Sequence, residues 1–226
     1  PACLLVSLMV ILWGCADEKN EPKGGKPSVI FADYRFTGDE GKEMVTGLLQ
    51  FFEGSRKGEP MRLTPPAGIQ VDGVALVADS ALRTGAYYEV QQPLQQFKGK
   101  HTLILTDEHG QTHREAFDFE PLVLQTDLGP TVKRGALELE VSGVQKGDKV
   151  RVLLTDIDFD TDDINRLQTV TDGKLVISAE ELQTVAAGPV TLMLYKEVEK
   201  TLEKGTLSGG RLSITYGLSR EFDLVD

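Results

Sequence analysis

Displaced by 89 positions, the chain matches itself. Gly54, Lys57, Gly58 and Arg62 fall on Gly143, Lys146, Gly147 and Arg151, while Glu59, Met61 and Leu63 fall on Asp148, Val150 and Val152. The same offset sets Leu48 on Leu137, Phe52 on Val141, and Gly99, Thr102, Leu103 and Leu105 on Gly188, Thr191, Leu192 and Leu194. Near the end the offset grows to 105 or 106, where Arg114, Glu115, Phe117 and Asp118 meet Arg220, Glu221, Phe222 and Asp223. The second copy therefore carries about sixteen extra residues near its last hairpin. A unit this long is a repeated domain, because solenoid units run to roughly 20–50 residues. The 226 residues are too many for one sandwich of about 100 residues and suit two.

Both copies read as strands. Leu212, Ile214, Tyr216, Leu218, Phe222 and Leu224 keep a period of two, broken only at Arg220, which predicts one half-buried strand or two short ones. Asp72-Gly73 between Ile69-Gln70-Val71 and Val74-Ala75-Leu76 predicts a tight hairpin. A second hairpin is expected from Thr102 to Leu105, through a polar turn, to the run from Thr112 to Phe119. The helical signal is confined to Ser178-Ala179-Glu180-Glu181, a capping box opening one short turn to about Val185. Short strands with turns every 8–12 residues predict an all-β chain of two tandem sandwiches.

Composition is that of a globular protein: 40% hydrophobic, 26% charged, mean hydropathy -0.17. A net charge of -11 opposes phosphate backbones, so no nucleic-acid partner is expected.

The N-terminal run from Cys3 to Trp13 is apolar except for Ser7. It is too short for a spanning helix, which needs about 20 residues, and reads as a signal-peptide core. Leu12-Trp13-Gly14-Cys15 closes it and resembles the lipobox of bacterial lipoproteins, with Trp13 standing where a small residue is usual. The resemblance implies a signal peptide over 1–14, lipidation of Cys15, and a flexible tether over 15–27. No cysteine follows Cys15, so an internal disulfide of the mature chain is excluded. One acyl chain binds a membrane only marginally; the diacylglyceryl group and further chain that the family implies would hold it. The implied place is the cell envelope, membrane-anchored, at the outer membrane, facing periplasm or surface.

The sandwich expected over 28–120 contains Phe97-Lys98-Gly99-Lys100-His101-Thr102-Leu103, which resembles the E–F turn of immunoglobulin-like domains. His101 stands at its Tyr position and Leu103 at its Cys position; Val190 and Leu192 stand there in the second copy, 121–226. The resemblance implies two immunoglobulin-like β-sandwiches without the disulfide and core Trp of antibody domains.

Asp156, Asp158, Asp160 and Asp162 form the densest acidic segment, after a strand whose inward face is Val150, Val152 and Leu154. Alternating carboxylates past that strand would offer hard oxygen ligands to Ca²⁺, although the Gly and Glu positions of an EF-hand are absent. The other reading is a solvated acidic loop; the first copy has Ala67, Ile69, Val71 and Gly73 there, so the fold does not require these carboxylates. His109 and His113 flank a turn, where two histidines are read as exposed residues rather than a zinc pair. Lys57, Lys146, Arg62 and Arg151 recur in both copies and suit solvated hairpin ends.

No G-x-S-x-G, P-loop or thiol nucleophile is present beyond the leader. The expectation is a non-enzymatic envelope lipoprotein acting as a binding or assembly module, with no cofactor unless Ca²⁺ binds. Its partners would be the membrane through the anchor, and an envelope protein or a glycan. The alternatives are a carbohydrate-binding lipoprotein and a Ca²⁺-dependent adhesion module. A sugar site would have to use residues such as Tyr87-Tyr88, since the one Trp lies in the leader.

Overall fold

The computed structural model describes residues 30–81, 85–158, 162–202 and 208–226. Cys15, the tether and Asp160 lie outside them. The first half contributes β1 (Ile30–Asp39), β2 (Met44–Glu53), β3 (Gly68–Val71), β4 (Val74–Ala75), β5 (Ala78–Ala81), β6 (Gly85–Pro93), a single turn α1 (Leu94–Phe97), β7 (Gly99–Thr106) and β8 (Thr112–Phe119). The second contributes β9 (Val123–Leu124), β10 (Thr131–Lys133), β11 (Leu137–Ser142), β12 (Lys149–Asp156), β13 (Ile164–Thr169), β14 (Lys174–Ile177), α2 (Ala179–Thr184), β15 (Gly188–Thr201) and β16 (Gly210–Val225).

Strand pairing identifies the fold. In the first half β1-β2-β6-β5 forms one layer and β4-β3-β7-β8 the other. This is the ABED and C′CFG arrangement of an immunoglobulin-like sandwich. The second half repeats it, with β9-β11-β14 opposite β13-β12-β15-β16, and β10 running parallel to β16. The chain is thus all-β, with an immunoglobulin-like sandwich in each half.

The local expectations hold where sequence chemistry is decisive. Asp72 and Gly73 take φ of 51° and 82°, the left-handed pair of a two-residue turn, and join β3 to β4. Ser178 accepts from the Glu181 N–H while the Glu181 carboxylate accepts from the Ser178 N–H, closing the capping box of α2. Strand β12 keeps Val150, Val152 and Leu154 inward and ends at Asp156, and Ile157 beyond it is exposed. The period-two run is a single strand, β16, of 16 residues. The α1 turn was not expected from sequence.

The extra residues of the second copy explain the largest departure between the halves. Strands β7 and β8 have 8 residues each, whereas β15 and β16 have 14 and 16. The added length runs past the second sandwich and docks on the first, where β16 pairs in parallel with β1 from Ala32↔Gly210 to Asp39↔Gly217. One sheet, β13-β12-β15-β16-β1-β2-β6-β5, therefore crosses both halves. Its inward face is apolar from Val150, Val152 and Leu154 through Leu192, Leu194, Leu212, Ile214, Tyr216 and Leu218 to Tyr34, Phe36 and Leu49, all buried. Burying a side chain of this size contributes about 1.5–3 kcal/mol, so the joint is built like a core rather than a surface contact.

Candidate functional site

The joint between β1 and β16 concentrates the charged groups that sequence did not single out. On the outward face Asp33 is 3% exposed, and a buried carboxylate needs a partner. Arg211 supplies it from β16 with two hydrogen bonds, Nε to Oδ1 at 2.8 Å and Nη2 to Oδ2 at 3.2 Å. This fork geometry is what guanidinium and carboxylate planes favour. The Asp33 bond raises the Arg211 pKa above the ordinary arginine value, against the opposing effect of burial. Arg35 and Arg56 stand 3.7 and 4.0 Å from the same carboxylate, and Arg211 also reaches Glu199 at 3.6 Å. Arg35 donates a short hydrogen bond to buried Gln50 on β2.

Three further ties span the halves. Arg220 makes a two-pronged ion pair with Glu40 in the β1–β2 turn, one short contact and one at 3.1 Å. Its role accounts for the break in the β16 period: this position is used for a charge pair rather than for core. Lys200 reaches Glu115 of β8 at 3.1 Å. Tyr216 packs edge-to-face on Phe119 with ring centroids 6.2 Å apart.

The connection between halves is held from below. Lys196, 6% exposed on the inward face of β15, donates to the Gly143 carbonyl at 2.7 Å and lies 3.4 Å from the Glu120 carbonyl, with Asp148 at 3.6 Å. Gly143 has φ of 74°, and a Cβ there would lie 1.9 Å from the Pro121 carbonyl oxygen. Its offset partner Gly54 has φ of 71° but open space around it. The recurring glycine is thus a turn residue in both copies and additionally a close-approach residue in the second.

Of the aspartates proposed as Ca²⁺ ligands, Asp156 ends β12, Asp158 follows it and Asp162 precedes β13. Asp156 accepts from the Asp158 N–H at 2.8 Å and from the Ala186 N–H at 2.7 Å, tying the loop to the segment after α2. Asp162 lies beside Asp163, Asn165 and Glu181 along a shallow hollow. Among the described residues no three His, Cys, Asp or Glu side chains gather as metal ligands would.

His101 occupies the corner expected from its place in the turn. Its ring is 5% exposed and stacks on Phe97 at 3.9 Å, with Nε2 2.5 Å from the Phe97 carbonyl oxygen and Nδ1 2.7 Å from Asp72. A conserved-type tyrosine corner likewise bonds back to backbone a few residues upstream. Asp72 also accepts the Thr102 N–H at 2.8 Å, so the β3–β4 turn is fastened to the start of β7. His113 is tied rather than free: its Nε2 is 3.1 Å from Asp107, a buried carboxylate that also accepts the His109 and Gln111 N–H groups at 2.9 Å. Burial pushes the Asp107 pKa up, but His113 and the two N–H groups outweigh it and hold it below the ordinary value. His109 is the exposed member, 3.7 Å from Glu108.

The remaining sequence candidates are structural. Tyr88 is buried and its hydroxyl accepts the Leu63 N–H at 2.9 Å, while Tyr87 donates to Asp79 at 3.2 Å. Arg151 grips Glu197 with two hydrogen bonds, and Arg62 donates to the Ala78 carbonyl at 3.1 Å. The repeated arginine therefore serves a different partner in each copy.

No protein-family model and no curated protein matches the chain. Among solved structures it is similar to the two immunoglobulin domains of DIP-gamma, at 7% identity over 87% of this chain and 95% of that one, with a TM-score of 0.23. A bacterial ice-binding adhesin involved in host cell surface retention gives 10% identity over 88% and 66%, TM-score 0.25. Murine CEACAM1b gives 12% identity over 87% and 100%, TM-score 0.21. At these TM-scores none carries an argument, and the immunoglobulin-like assignment stands on the chain's own strand pairing.

Proposed function

We propose that the chain is a non-catalytic, lipid-anchored protein of a bacterial cell envelope that holds a binding module away from the membrane. The observation that carries this reading is the apolar run closing on Leu12-Trp13-Gly14-Cys15 ahead of a body with no other cysteine. Two domains, 28–120 and 121–226, follow the anchor in this reading. Support comes from the geometry of the chain after it. Strand β1 starts at Ile30, beside the beginning of β16, and β16, 16 residues and ~50 Å long in all, continues past its pairing with β1 to Val225. A tether at Ile30 therefore leaves beside the starts of β1 and β16, while the far end of β16 lies in the second sandwich. The second half would be the part presented, to an envelope protein or a glycan.

The test is metabolic labelling of the native producer with a radiolabelled fatty acid. The wild-type chain should carry label and sediment with membranes, and Cys15→Ser should do neither. Label-free protein released from the cell would contradict the reading.

A further inference from the structure

We propose that the β1–β16 joint is a force clamp: a pull between the N-terminal anchor and the second half passes directly from β1 into β16, so that the two sandwiches resist it as one body. The inference deepens the anchoring function above, which would supply the load, but rests on strand geometry. Strands β1 and β16 are parallel neighbours over the eight pairs from Ala32↔Gly210 to Asp39↔Gly217. An anchor pulls β1 backward from Ile30. A load on the second half pulls β16 forward, because β15 pairs with β16 along its length from Thr201↔Arg211 to Gly188↔Leu224 and β10 pairs with its last residues.

Parallel strands drawn in opposite directions along their axes are loaded in shear. All the ladder hydrogen bonds then resist together, whereas peeling would break them singly. The other edge of β1 is held by β2 in eight further pairs, from Ile30↔Glu53 to Thr37↔Thr46. The side chains reinforce the same direction. Arg211–Asp33 pins the start of the shared segment, Arg220–Glu40 pins its end, and Leu212, Ile214 and Tyr216 are buried between them. The covalent connection near Glu120 to Leu122 lies outside this path. It is spared until β1 and β16 part.

Single-molecule force spectroscopy on the full, unlipidated chain tests the clamp, with Cys3→Ser introduced so that the Cys15 thiol is the unique handle and the surface tag placed after Asp226. The expected result is one rupture that releases the chain from Ile30 to Val225 together, ~650 Å at ~3.3 Å per residue. Arg211→Ala should lower the rupture force and split the event into steps of ~300 and ~350 Å at ~3.3 Å per residue; Arg220→Ala, a milder change, should lower the force if the first variant misfolds. Two steps in the wild type, at forces that neither substitution alters, would overturn the clamp. Because the pull uses a free thiol, this outcome is independent of whether Cys15 is lipidated in cells.

Discussion

Arg211 and Asp33 lie 178 residues apart in sequence and share two hydrogen bonds, of 2.8 and 3.2 Å, across the parallel joint of β16 and β1. Asp33 is almost wholly buried, so removing Arg211 strips it of both hydrogen bonds and leaves only Arg35 and Arg56, at 3.7 and 4.0 Å, to oppose its charge. Breaking a buried pair from one side typically costs about 3–5 kcal/mol, more than the pair itself contributes. Arg211→Ala should therefore destabilise by about 3 kcal/mol in urea unfolding. The double variant with Asp33→Asn should recover part of that loss, and a cycle of the two should show coupling above ~1 kcal/mol.

The offset-related glycines give a paired test of the inter-half connection. Gly54→Ala and Gly143→Ala both put a Cβ on a left-handed backbone, which costs roughly 1–2 kcal/mol. Only at Gly143 would the new methyl also strike the Pro121 carbonyl oxygen. Thermal unfolding should show the small loss at Gly54 and a clearly larger one at Gly143. Equal losses would mean that Pro121 moves aside freely.

Acid stability should depend on Glu181. Arg166 holds its carboxylate first, through hydrogen bonds of 2.5 and 3.2 Å; burial opposes, and the Ser178 N–H and hydroxyl assist, lowering the pKa from 4.5 to about 2. A lowered folded-state pKa means the unfolded chain takes up the proton first as pH falls. The stabilisation is therefore present above about pH 4.5 and lost between there and pH 2. Glu181→Gln should flatten stability against pH in that window, and Ser178→Ala should cost about 1 kcal/mol as a lost cap.

His101→Phe should keep the stack on Phe97 while losing the contacts to Asp72 and the Phe97 carbonyl. Asp72 keeps the Thr102 N–H, but losing the polar contacts of the buried ring costs about 1–3 kcal/mol, and amides of the β3–β4 turn should exchange faster. An unchanged midpoint would show that the ring acts by packing alone.

Sequence carried much of the local structure because its signals were local. Asp72-Gly73 has the chemistry of one turn type, Ser178 and Glu181 satisfy each other within one turn, and the duplicated pattern marked two copies of one sandwich. The offset change even located the insertion in the last hairpin. What it could not supply was the destination. The pairing of β16 with β1 joins residues about 180 positions apart, and an alternating strand such as β16 looks the same whichever edge it adds to. Asp33 and Arg211 were invisible for the same reason: each is an ordinary outward-facing charge until the other strand arrives. Arg220, the single break in the β16 alternation, was the one local trace of the joint. The aspartates after β12 stood out by density, yet Asp156 serves two backbone N–H groups.

The union of both halves through β16 is tested most directly by native-state hydrogen exchange of the full chain, read peptide by peptide against denaturant. Amides of β1 and β2 should open with the same free energy and the same denaturant dependence as those of β12 and β15, and Arg211→Ala should separate the two sets. If β1 and β2 open at lower free energy while β12, β15 and β16 stay protected in the wild type, the halves are independent and the joint is only a contact.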